Sequence, residues 1–354
     1  MNQMFRHVSQ YRVKLGFFLL ILALILHLAF PMFAFAADFE GMTEEAANQS
    51  AFSQFLEIGG GSVHIVMYGD TVQHGNRHIF DPDSPKKVIA LLPGLGVASP
   101  EIYFKPLAEA LQNYFNVLII EPFGYGRSDG ARRPRTIRNI NRELDRIMQS
   151  LKIDAFIYAA HSMSGVYAMN YVKNYDRAVQ IIALDISVSD DIVMPFMEME
   201  MDWMLEIAKE FDALRNTFPS HEAFFEFIYA DPYQFEFLWF PEVVDYTFTE
   251  ADRVRFTDSF ARAYNMSIRD ELRRGMANLS TVHGKRFPSS LPVISFVAGN
   301  TVDFLSQWET AHVDQLDLDS GNHRMYVLED ANHQIWYTHL DEIVAKIAAS
   351  HGLR

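Results

Sequence analysis

The 354-residue chain has no cysteine, which excludes disulfides, thiolate metal sites, a cysteine nucleophile and a lipid-modified cysteine together. Positive charge is scarce: 30 Lys and Arg stand against 45 Asp and Glu, a formal net charge of −15. That balance disfavours a nucleic-acid backbone or an anionic membrane surface as the main partner. No internal repeat or low-complexity tract occurs. The Gly-x4-Gly-Lys-Ser/Thr phosphate loop and the dinucleotide fingerprint are also missing, so no cofactor is expected. What remains is a chain that is 49% apolar, enough for a substantial buried core.

The longest apolar run lies at the start. Arg6, Arg12 and Lys14 precede Leu15–Ala36, interrupted by Gly16, His27 and Pro31, and Ala34-Phe35-Ala36 supplies a small-x-small cleavage pattern. Residues 1–36 are therefore expected to be a signal peptide cut after Ala36 or Ala37. A retained N-terminal anchor is the alternative, because a run of this length at about 1.5 Å per residue spans a hydrocarbon core of roughly 30 Å. In both cases the basic flank stays inside and the remainder is exported, secreted or held by this segment, which is then the expected membrane contact.

Past a polar leader, β-patterned runs fall at Ser62–Tyr68 and Arg77–Phe80, punctuated by Gly59-Gly60-Gly61 and His74-Gly75-Asn76. Strand and helix then alternate. Strands are predicted at Val88–Leu92, Asn116–Ile120, Ala155–Ala160 and Val179–Leu184, and helices at Pro100–Leu111, Ile137–Leu151 and Ser164–Val172. Strands apolar on both sides and separated by helices imply an α/β fold with a mostly parallel central sheet flanked by helices. Thr136 is placed to cap the second helix, whose Arg138, Arg142 and Arg146 read as a solvated face. The alternation stops after Asp185 and resumes at Val293–Val297, Met325–Leu328 and a last helix, Leu340–Ala349.

The stretch between differs in composition. From Asp185 to Asp245 fifteen acidic residues face two basic ones, Lys209 and Arg215. Aromatics crowd its middle: Phe224, Phe225, Phe227, Tyr229, Tyr233, Phe235, Phe237, Trp239 and Phe240. Helical periodicity over Met194–Phe211 and Arg253–Leu279 predicts a helical insertion at 187–286, between core segments 37–186 and 287–354.

The chemistry-bearing stretch is Ala160-His161-Ser162-Met163-Ser164-Gly165, where an apolar strand hands over to a helix. Small residues at 160 and 164 permit the sharp turn that lifts the Ser162 hydroxyl above the sheet, beside a helix start. Ser164 fits less well, because Val166 would then have to be a small flank. His74 and His78, near Asp81 and Asp83, can be drawn as a metal site, but the Gly-Asn between them reads as a hairpin turn, and no metal is expected.

On these residues the chain resembles the α/β-hydrolase family. The stretch around Ser162 is similar to its nucleophile elbow, with Ala160 and Ser164 where glycine is more usual. Pro93-Gly94-Leu95-Gly96 is similar to its histidine-glycine-x-glycine turn, with Pro93 in place of histidine, and Glu121–Asp129 is similar to its glycine-rich loop, which is usually structural. The resemblance implies an α/β-hydrolase fold with 187–286 as a helical lid, and Ser162, an acid and a histidine in that order. It places the histidine at His333, between the last strand and the last helix, and the acid at Asp303, after Val293–Val297. Asp185, at the end of the preceding strand, is the alternative acid, followed by Asp314 or Asp317; His161 is expected to be a packed support. A serine needs a base and the base an orienting acid, and the backbone amides of Leu95 and Met163 would form an oxyanion hole. The expected activity is hydrolysis of a small-molecule carboxylic ester or amide, a peptide included, through an acyl-enzyme. A non-catalytic binding protein retaining the fold is the alternative. The insertion's aromatics line a pocket or form its own core, and its acids favour an amine-bearing substrate.

Overall fold

A computed structural model describes residues 51–230 and 242–353. Residues 1–36, where an export segment was expected, and Tyr233, Phe235, Phe237, Trp239 and Phe240 lie outside the described residues.

Among the described residues ten strands are formed: β1 (Phe52–Ile58), β2 (Gly61–Tyr68), β3 (Thr71–His74), β4 (Arg77–Phe80), β5 (Val88–Leu92), β6 (Asn116–Ile120), β7 (Phe156–His161), β8 (Ala178–Leu184), β9 (Val293–Ala298) and β10 (His323–Leu328). Eight of them make one sheet in the order β1-β2-β6-β5-β7-β8-β9-β10, while β3 and β4 form a separate hairpin. The two pairings β1–β2 and β2–β6 are antiparallel and the rest of the large sheet is parallel. This is the mostly parallel, helix-flanked sheet that the sequence predicts. Every residue of β6, β7 and β9 is buried, as central strands covered on both faces require.

Helices α1 (Pro100–Leu111), α2 (Ile137–Ser150), α3 (Ser164–Asn174) and α10 (Leu340–Ser350) flank the sheet. Thr136 caps α2 by accepting from the Asn139 amide, and its Ile137, Ile140, Leu144, Ile147 and Met148 turn inward. Arg138 and Arg146 are exposed and Arg142 half-buried, in keeping with a solvated face.

Between β8 and β9 come α4 (Met194–Arg215), α5 (His221–Ala230), α6 (Glu250–Ala261) and α7 (Met266–Ser280). The single period over Arg253–Leu279 is broken in two, because Tyr264 takes a positive φ of 53° and the Asn265 side chain caps α7 by accepting from the Ser267 and Ile268 amides. Phe224 is fully buried and packs with Phe211, Phe218 and Phe260, so it serves the insertion's own core. Charged contacts tie the insertion to the sheet layer: Lys105 Nζ to Asp252 Oδ2 at 2.7 Å, and Arg135 Nε to Glu271 Oε2 at 3.0 Å. Among the described residues no helix is long and apolar enough to cross a membrane.

Candidate active site

Parallel register places the site. His161 at the end of β7 pairs with Leu184 at the end of β8, so Ser162 and Asp185 leave the same sheet edge side by side. Leu184 pairs with Phe296 of β9, and Ala298 with Leu328 of β10, so the loop carrying His333 leaves at that edge too.

Ser162 has φ +53°. A non-glycine residue held there is strained, at about 1–3 kcal/mol, and persists only where its surroundings hold it. Here the Ser162 carbonyl accepts from the amides of Gly165 and Ser187, both at 2.9 Å, and its own amide reaches the Leu184 carbonyl at 3.4 Å. His161 and Met163 are buried while Ser162 remains half-exposed, so the turn presents the hydroxyl outward. Close approach explains the glycines nearby. A Cβ on Gly165 would stand 2.3 Å from Ile186 Cβ, and one on Gly94 would stand 2.7 Å from Ser162 Cβ. Ser164 is buried with its hydroxyl 2.8 Å from the His161 carbonyl and 2.9 Å from that of Leu92, which commits its one proton to the backbone.

The acid facing His333 is Asp185, not Asp303. His333 Nδ1 lies 2.6 Å from Asp185 Oδ2, and Asp185 Oδ1 accepts from the Ala298 amide at 3.0 Å and Trp308 Nε1 at 2.9 Å. Asp303 is exposed on α8 (Gly299–Phe304), a short helix that directly follows β9. Asp314 ends α9 (Gln307–Asp314) and Asp317 follows it; His333 pairs with neither.

Burial raises the proton affinity of Asp185, but the hydrogen bond and charge of His333, then the charge of His312 and the Ala298 amide, outweigh it and hold the carboxyl below the usual 3.8. Burial likewise disfavours the His333 imidazolium. The Asp185 hydrogen bond, the Asp185 charge and the charge of Glu200 overcome it, so His333 titrates above 6.5. The His333 side chain keeps 37% of its surface open, and solvent softens each of these influences. Stabilisation from the raised histidine is complete below 6.5 and fades as pH rises through its folded value. That from the depressed carboxylate is complete above 3.8 and fades as pH falls through its folded value. The ion pair thus stabilises most between these limits.

Packing behind the pair is aromatic. His161 is held neutral, first by burial and then by the positive charge of His333. Its Nε2 lies 3.1 Å from the His333 carbonyl, which only accepts, so Nε2 carries the proton and Nδ1 accepts from Tyr103 Oη at 3.3 Å. The His161 and His333 rings sit 4.5 Å apart. Trp336, fully buried, donates its indole N–H to the Tyr103 carbonyl. His312 is pushed down to about 4 by burial, with the charge of His333 acting in the same direction and that of Asp185 against it.

Among the described residues the backbone amides of Leu95 and Met163 serve no other acceptor, and both lie in the turns that meet at Ser162. They are available to a charge developing beside the Ser162 oxygen. The glycine-rich loop has a structural anchor: buried Glu121 accepts from the Arg127 amide at 2.7 Å and pairs with buried His64 at 2.9 Å. His64, Glu101 and Glu121 are the one group of possible metal ligands among the described residues. Their atoms are already engaged, His64 Nε2 with Ser53 Oγ at 2.7 Å and Glu101 with Arg255 at 3.2 Å. His74 and His78 sit on the two strands of the β3–β4 hairpin, with Gly75 and Asn76 as its turn, and His78 stacks on Phe52 at 3.7 Å.

Trp308, His312, Tyr103 and Glu200 carry no motif, and each reaches the site only through tertiary packing. Trp308 and His312 lie four apart on α9, too short a helix to give a periodic signal.

Comparison with known proteins identifies the family. A family model described as the alpha/beta hydrolase fold matches residues 87–333. A curated relative, the uncharacterized protein YbdG of Bacillus subtilis (strain 168), is 25% identical over 118 residues, which span 33% of this chain and 36% of that protein. The chain thus spans about a third of the curated relative it matches. Among solved structures, the Cif epoxide hydrolase from Acinetobacter nosocomialis superposes with a TM-score of 0.57 at 15% identity, covering 86% of this chain and 90% of that one. The 2-hydroxy-6-oxo-6-phenylhexa-2,4-dienoate hydrolase of Rhodococcus sp. strain RHA1 gives 0.52 at 16% identity, covering 86% and 99%.

Proposed function

The chain belongs to the alpha/beta hydrolase family, and we propose that it is a serine hydrolase cleaving a carboxylic ester or amide through an acyl-enzyme on Ser162. One observation carries this proposal: a half-exposed serine strained at positive φ leaves the sheet edge beside a buried aspartate that grips a histidine. With serine at position 162, the covalent intermediate forms on a hydroxyl.

In the proposed mechanism His333 Nε2 removes the Ser162 proton as the oxygen attacks the substrate carbonyl. Asp185 keeps the Nδ1 proton in place and balances the imidazolium. The Leu95 and Met163 amides stabilise the oxyanion, each donor being worth on the order of 10²–10³ in rate. The imidazolium then protonates the leaving group, and a water activated by the same histidine releases the acyl group. The inserted helices act as the lid, and residues 1–36 as the export segment.

His333 works as a base only when neutral. Its raised proton affinity predicts that kcat/KM climbs with pH through an apparent pKa above 6.5, whereas a profile already flat below that value would contradict the assignment. The function itself is tested on p-nitrophenyl esters from acetate to octanoate together with amino-acid anilides. Turnover that is abolished by one equivalent of a fluorophosphonate supports the proposal. Turnover that a saturating fluorophosphonate leaves untouched, or no turnover anywhere in the panel, refutes it.

A further inference from the structure

We propose that Glu200 binds an ammonium group of the substrate, so that amine-bearing esters or amides are preferred over their neutral isosteres. This inference rests on the serine-hydrolase mechanism above and narrows its substrate class.

Helix α4 turns distinct faces to its neighbours. Met197 and Met201 are buried, and the Met201 side chain packs against Gly275 of α7. Phe196, Glu200 and Met204 recur every fourth residue and share another face. That face meets the rim of the site at both ends. The Phe196 ring lies 5.9 Å from that of Phe304 on α8, the helix that follows β9. Met204 Cε lies 2.9 Å from where a Cβ on Gly96 would stand, in the turn that carries the Leu95 amide. Glu200 hangs between these contacts, half-buried. It is close enough for its charge to raise the proton affinity of His333. Its own proton affinity is raised by burial; the His333 charge acts in the opposite direction and the Asp185 charge in the same one.

No Lys or Arg forms an ion pair with Glu200 among the described residues. The two bases among residues 185–245 are occupied within one turn of their own helix, Lys209 by Glu206 at 2.6 Å and Arg215 by Asp212. A half-buried carboxylate without a fixed cation is costly unless a partner arrives. It also works against neutral substrates, because a second negative charge develops on the nearby oxyanion during attack. A substrate ammonium removes both penalties, so one carboxylate selects for a charged amine and against its neutral isostere.

The test compares benzyl esters of hexanoic, 2-aminohexanoic and 6-aminohexanoic acid at pH 7 on the full-length protein. For the wild type, kcat/KM of at least one amino ester is expected to exceed that of the hexanoate about tenfold or more, the scale of a charge-assisted hydrogen bond. Glu200→Gln should bring the ratio to within about twofold while fluorophosphonate labelling is kept. Glu198→Gln, at an exposed position on the same helix, should leave the ratio unchanged. A wild type that cleaves the hexanoate as well as both amino esters overturns the inference and leaves the serine mechanism standing, as does a preference that survives Glu200→Gln or is lost equally in Glu198→Gln. If Glu200→Gln does not fold, Glu200→Asp, which keeps the charge and withdraws it by one methylene, must lower the ratio, and an unchanged ratio overturns the inference. A wild type inert to all three esters removes the mechanism and the inference with it.

Discussion

Ser162→Ala is expected to lower kcat by on the order of 10⁴–10⁶, or about 5–8 kcal/mol of transition-state stabilisation, with KM little changed. The loss is large because the oxygen forms the covalent bond and nothing adjacent replaces it. Ser164 lies two residues on, but it is buried and its hydroxyl is spent on backbone carbonyls. The fold should survive the change, because the contacts holding the elbow, from Gly165 and Ser187 to the Ser162 carbonyl, belong to the backbone. A thermal midpoint within a few degrees of wild type, measured on the sample that has lost activity, separates chemistry from unfolding. Residual activity within a factor of ten of wild type would mean that another residue is the nucleophile.

Asp185→Asn is expected to cost on the order of 10³–10⁴ in kcat, whereas Asp303→Ala stays within about twofold. Asparagine retains the shape and tolerates the φ of +43° that Asp185 adopts. It loses the charge that steadies the imidazolium, and it sets an amide N–H₂ among donors from His333, Ala298 and Trp308. With one of those donors left unpaired, stability should also fall, by about 1–3 kcal/mol. The exposed carboxylate at 303 touches none of this machinery. Equal losses at the two positions, or a larger one at 303, would reverse the assignment.

The contrast between these two carboxylates also marks what the sequence made legible. Largely apolar strands such as β6 and β7 announce a buried parallel sheet, and α1 ends where its pattern ends, because period and burial act within a few residues. The turn at Ser162 was legible for the same reason, since a strand, a pair of small flanking residues and a helix start are contiguous. The acid was not. Asp185 and Asp303 both follow a buried strand, and only the packing of α8 and α9 sends one outward and brings Trp308 N–H onto the other. β1 (Phe52–Ile58) escaped because an edge strand with one face in solvent alternates weakly and owes its pairing to β2. Glu200 lay hidden among fourteen other acids in the same stretch, distinguished only by the helix face on which it falls.

The most direct test of the central claim is peptide mapping by mass spectrometry after stoichiometric reaction with a fluorophosphonate. The account predicts one adduct, on the peptide containing Ser162, formed more slowly in Asp185→Asn and not at all in Ser162→Ala. An adduct on any other residue, or no adduct on protein that is turning over an ester, would contradict it.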